Sequence, residues 1–138
     1  MKASWLACLA ASAWLAVSAF ANEHDGLARN LVYCGVVADV FSRNSAQMRE
    51  YRDLFLGSAT VLTSQAFVVA ERNVALTRVE AKIDEAKRAR EGVGGSPPPQ
   101  LSGFMDELKG CLAQIRENRD KIAEGVRKLN EQRDKSTR

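Results

Sequence analysis

Apolar residues recur every seven positions along nearly the whole chain. Met48, Phe55, Leu62, Val69, Leu76 and Ile83 form one row, which Leu27, Cys34 and Phe41 continue backwards. Leu101, Leu108, Ile115, Ile122 and Leu129 form a second. Neighbouring apolar residues, among them Leu31, Ala38, Ala59, Ala66, Val79, Leu112 and Val126, widen each row into a helical face. A helix turns once in about 3.6 residues, so a seven-residue repeat keeps one stripe facing a neighbour. A strand would instead alternate at every second residue, and that alternation is absent. The pattern predicts an all-α protein of long amphipathic helices packed through coiled-coil-like seams.

One interruption is plain. Residues 91–100 (EGVGGSPPPQ) cannot continue a helix, because glycine is conformationally loose and proline lacks a donor N–H. A loop is therefore expected at 92–100, with Gly92 just past a helix end and Pro99 opening the next. Asp106 and Glu107 then suit the positive end of that helix. The run GVGG makes a poor phosphate cradle, since no Lys-Ser/Thr follows it and no strand precedes it.

The start of the chain changes the picture. Met1-Lys2 gives a positive end, residues 5–17 (WLACLAASAWLAV) carry no charge, and Ala19 and Ala21 supply the small residues of a cleavage site. This is the pattern of a secretory signal peptide over 1–21, with 22–138 as a single helical domain and a periplasmic or secreted destination. An uncut apolar segment acting as a membrane anchor is the rival reading. Cleavage would remove Cys8 and leave Cys34 and Cys111, an even pair that in an oxidising compartment predicts a disulfide.

That disulfide constrains the second turn. If the helices flanking the loop run antiparallel, Cys111 lies level with position 81. A turn at Asn44-Ser45 then leaves the cysteines about 40 Å apart at 1.5 Å per residue. A turn at Gly57-Ser58 brings both to one level, within the reach of about 7 Å that a disulfide allows. The expectation is an up-down-up three-helix bundle with helices about 24–56, 59–91 and 101–135. The alternative is one continuous helix from Ser45 to Arg90, giving an extended hairpin without the internal disulfide that dimerises through its exposed seam.

Candidate chemistry is sparse. The chain has one His, no HExxH and no serine in a nucleophile elbow. Acids such as Asp84, Glu117, Glu124 and Glu131 precede Arg88, Lys121, Lys128 and Lys135 by four residues, the spacing of a solvated helix face. No enzyme is expected, and a formal net charge of +3 gives no reason to expect nucleic acid. Cleavage after Ala21 would expose Asn22, Glu23 and His24, whose amine, amide nitrogens and imidazole can surround Cu(II) or Ni(II) in a square plane. A second apolar row, Leu54, Val61, Val68 and Ala75, is either a docking strip or the edge of a wide core face. The expected role is protein–protein binding in the cell envelope, as chaperone, inhibitor or assembly factor for an unidentified partner. Membrane contact after cleavage is not expected, and self-association is open to such a chain. A membrane-tethered coiled-coil spacer and a metal-handling protein are the alternatives.

Overall fold

A computed structural model describes residues 23–91 and 101–137, whose regular structure is entirely helical. The elements are α1 (Asp25–Val40), α2 (Ala46–Leu62), α3 (Gln65–Glu91), a short 3-10 turn (Leu101–Phe104), α4 (Met105–Glu117) and α5 (Arg119–Ser136). The expected signal segment 1–21, Asn22 and the loop 92–100 lie outside the described residues.

α1 is the centre because its sequence is apolar on nearly every side. Ala28, Leu31, Val32, Cys34, Gly35, Val36, Val37 and Ala38 are all buried, as a helix with an apolar surface wider than one stripe requires, and Arg29 and Asn30 mark its exposed side. α2, α3 and α4 pack around it, and α5 packs on α2. Phe55, Val79 and Leu108 fill the spaces between these helices. At Gly35 an added Cβ would stand 2.6 Å from the Leu56 side chain. Its missing side chain is what lets α2 approach closely. α4 runs antiparallel to α1: the rings of Phe104 and Phe41 lie 5.6 Å apart at one end. One helical stretch further along, Cys111 is bonded to Cys34 with Cα atoms 6.6 Å apart.

The described residues form five α-helices where three long ones were expected. No turn forms at Gly57-Ser58. Gly57 sits inside α2, Ser58 is buried, and Thr60 donates its hydroxyl to the Leu56 carbonyl at 2.8 Å without capping anything. The chain turns instead at Asn44-Ser45, where Ser45 Oγ accepts from the Met48 amide at 3.2 Å and starts α2. A further break follows at Thr63-Ser64. Thr63 donates to the Ala59 carbonyl at 2.7 Å as α2 ends, and Ser64 Oγ accepts from the Phe67 amide at 3.1 Å as α3 begins. The continuous helix of the alternative reading is cut at the same place. The expected helix 101–135 is likewise divided at Asn118, whose side-chain amide donates to the Gln114 carbonyl at 2.8 Å.

The break at Thr63-Ser64 resets which positions face inward. Before it, Met48, Phe55 and Leu62 are buried; after it, the buried positions are Val68, Ala75 and Val79. Val69 and Leu76, the next members of the seven-residue row, are 55% and 40% exposed. Thr63 leaves helical geometry at φ −129°, ψ −98°, so the rotational phase of α3 is not inherited from α2.

Candidate functional site

Two surfaces carry organised side chains. The first is a cleft of about 350 Å³ beside the disulfide, bordered by Asn30, Tyr33, Arg78, Glu107 and Gln114 from α1, α3 and α4. Tyr33 donates its phenol proton to Glu107 Oε2 at 3.0 Å, and Lys82 Nζ holds Oε1 at 2.7 Å. The Arg78 guanidinium lies 4.8 Å from the Tyr33 ring centre, and Lys82 Nζ lies 4.5 Å from that of Phe104. Both oxygens of Glu107 are thus engaged by groups from two other helices. Burial, and then the hydrogen bond to Glu107 and its negative charge, push the Tyr33 phenol up to about 12, with Arg78 opposing. At neutral pH the phenol keeps its proton and remains a donor. Together these groups clamp α4 to α1 and α3 next to the disulfide.

The second surface is the outer edge of α3. Val69, Arg72, Asn73 and Leu76 line a shallow cleft of about 200 Å³ against Val36 and Asp39 of α1. Val40, 40% exposed, lies one helical turn beyond Val36. Arg72 reaches Asp39 at 4.0 Å, the outer limit of an ion pair. The edge therefore offers exposed branched apolar side chains rimmed by charge.

The row Leu54, Val61, Val68 and Ala75 does not form one exposed strip. Leu54 is 41% exposed, whereas Val68 and Ala75 are buried core residues. Val61 lies under α5, because at Gly125 an added Cβ would stand 2.3 Å from Val61 Cγ1. On α3, Val68 and Ala75 face the core, and the exposed apolar residues Val69 and Leu76 belong to the other row. Glu23 and His24 border a cleft of about 620 Å³ with Val61, Asp120, Glu124 and Lys128. Glu23 reaches His24 Nε2 at 3.3 Å. Asn22 is outside the described residues, among which no group of three or more His, Cys, Asp and Glu is placed to hold a metal. On α5 the four-residue pairs Glu124–Lys128 and Glu131–Lys135 give way to Arg127, which pairs with both glutamates. That contact holds the Glu124 carboxyl below its ordinary range.

Sequence reasoning did not find Tyr33, Arg78, Lys82 and Glu107 as a set, because α1 and α4 meet there from positions 74 residues apart. The cysteine pair was the single local pointer to that meeting. No family model, curated protein or solved structure matches the chain.

Proposed function

We propose that the chain is an exported, non-catalytic helical protein that acts in the cell envelope by binding protein, with the outer edge of α3 as its binding surface. The observation that carries this reading is the exposure of Val69 and Leu76 on a helix whose core side is already filled by Val68, Ala75 and Val79. Branched apolar residues one turn-pair apart, rimmed by Arg72, Asn73 and Asp39, resemble the apolar centre and polar rim of protein interfaces. Export is supported by the Cys34–Cys111 bond and by the apolar, uncharged run near the chain start. No described helix is long and apolar enough to cross a membrane.

The test has two parts. N-terminal sequencing of protein recovered from the envelope fraction should begin at Asn22. A photo-crosslinking residue at position 76 should then give defined protein adducts, which Val69→Gln removes. Retention of the first 21 residues would overturn export by cleavage. Adducts that survive Val69→Gln, or none at all, would overturn the binding surface.

A further inference from the structure

We infer that the outer edge of α3 is covered by a second copy of this chain, paired antiparallel about a two-fold axis at Leu76. The inference rests on the reading of that edge as a binding surface and names its occupant. A two-fold dimer uses the same patch on both copies, so the patch must be complementary to itself. An axis at Leu76 sets residue 76 − n of one copy opposite residue 76 + n of the other. Val69 then meets Ile83, Leu76 meets Leu76, and Arg72 meets Glu80, each off-axis contact occurring twice. Gln65 meets Lys87 at the ends, and no like charges face each other at these levels.

These residues share one edge of the helix. At 100° per residue, Val69, Arg72, Leu76, Glu80 and Ile83 all fall within about 40° of Leu76. Val68, Ala75 and Val79 lie to one side, where they are buried. Ile83 is half-buried, and Val69 and Leu76 stand out from the core. The charges select the direction of pairing. A parallel arrangement would set Arg72 on Arg72 and Glu80 on Glu80, and like charges at facing helix positions are destabilising. Only the antiparallel pairing converts them into two ion pairs. Arg72 can take part because its own-chain contact to Asp39 spans 4.0 Å. Glu80 makes no ion pair among the described residues. The cleft of about 200 Å³ beside Leu76 provides room for Leu76 of the second copy. A contact over roughly four helical turns falls at the small end of specific interfaces, so dimer and monomer should exchange.

Sedimentation of the complete exported chain over a range of concentrations tests this. The parent should show a reversible monomer–dimer equilibrium. Arg72→Glu and Glu80→Arg should each weaken self-association roughly tenfold or more, because each sets like charges opposite one another twice. Mixing the two variants should restore dimerisation, since every facing pair in the mixed dimer is again of opposite charge. With the native disulfide intact, Leu76→Cys should oxidise to a covalent dimer and Thr77→Cys, about 100° further around the helix, should not. Helical content of each variant, read by circular dichroism, separates loss of pairing from loss of fold. A parent that stays monomeric at every concentration, a mixture that fails to associate, or equal crosslinking at both positions would overturn the inference. Position-76 adducts to another envelope protein, with a monomeric parent, would leave the binding surface standing and remove the second copy as its occupant.

Discussion

Replacing Gly57 by Ala separates two chain paths by the sign of one stability change. In the structure Gly57 is an exposed position inside α2, and an added Cβ would have nothing within 4 Å. A glycine within a helix is less favourable than alanine by roughly 0.5–1 kcal/mol, because it loses more backbone entropy on folding. Gly57→Ala should therefore stabilise by about that amount, since the new methyl group displaces nothing. For a domain of about 100 residues 1 kcal/mol moves Tm by about 4–8 °C, so a rise of roughly 2–8 °C is expected. If residues 57 and 58 were a turn, Gly57 would hold the left-handed conformation that ends a helix, and alanine would be strained there. The change would then be a loss. Ser64→Ala supplies the opposite arm. Ser64 Oγ accepts the Phe67 amide at 3.1 Å, and removing such a cap costs about 0.5–2 kcal/mol. Urea unfolding with unchanged slope measures both. A destabilising Gly57→Ala together with a neutral Ser64→Ala would refute the placement of the break at Thr63-Ser64.

Replacing both Cys34 and Cys111 by Ser opens a loop spanning 77 residues of sequence separation. Chain-entropy arguments put its contribution near 4.5 kcal/mol, and urea unfolding showing a loss below about 1 kcal/mol would contradict that account. Val68→Gln should cost about 3 kcal/mol or more, through reduced apolar burial and an unpaired buried amide, whereas Val69→Gln should stay within about 0.5 kcal/mol; equal losses would mean that the row keeps its phase across the break. Gly125→Ala drives a methyl against Val61 Cγ1 and its carbonyl oxygen, at 2.3 and 2.9 Å. It should strip hydrogen-exchange protection from α5 while the rest of the domain keeps its Tm, since α5 buries no residue of its own. In a Tyr51→Phe background the remaining phenol, Tyr33, should titrate at about 12 by tyrosinate absorbance, and Glu107→Gln should lower that value. Because folding favours the neutral phenol, its stabilising contribution is complete below pH 10 and is lost as pH rises to about 12. Titration at the ordinary value would show that the Tyr33–Glu107 hydrogen bond does not persist in solution.

The helical class and the cysteine pair were legible because both depend on features that survive without tertiary context. A seven-residue apolar period has few outcomes other than packed helices, and two cysteines in a chain read as exported have few expected outcomes other than each other. The turn was misplaced for a specific reason. The distance of about 40 Å that argued against Asn44-Ser45 holds only if the chain runs straight from that turn to the loop. With a break at Thr63-Ser64, α3 swings back across α1, placing Glu71 against Arg29 and Arg78 over Tyr33. The signal for this break was two adjacent hydroxyl residues between Leu62 and Phe67. It was masked because Leu62 and Val69 are seven apart, although Leu62 is buried and Val69 is not. Gly125 gave no signal at all. Its role depends on Val61, far earlier in the chain on α2, and a glycine within a helix is otherwise read as a weak point.

The break and the candidate surface are two results of one constraint. The rows Met48–Phe55–Leu62–Val69–Leu76 and Leu54–Val61–Val68–Ala75 run side by side, and α1 can receive only one row from each helix. In α2 it receives the first row and leaves Leu54 outside. In α3, with its phase reset at Thr63-Ser64, it receives the second row and leaves Val69 and Leu76 outside. A helix unbroken from Met48 to Ile83 would keep a single row inward and place the surplus on one continuous strip. The two hydroxyl caps instead divide the surplus and confine its α3 portion to an edge beside Val36, Asp39 and Val40. Arg72 and Glu80 stand on that edge four residues either side of Leu76, with Val69 and Ile83 seven residues either side. That symmetry is not required by packing against α1, whose buried contacts lie on the side of Val68, Ala75 and Val79. It does bear on pairing with a copy of itself, because an antiparallel two-fold contact requires opposite charges at equal distances from its axis.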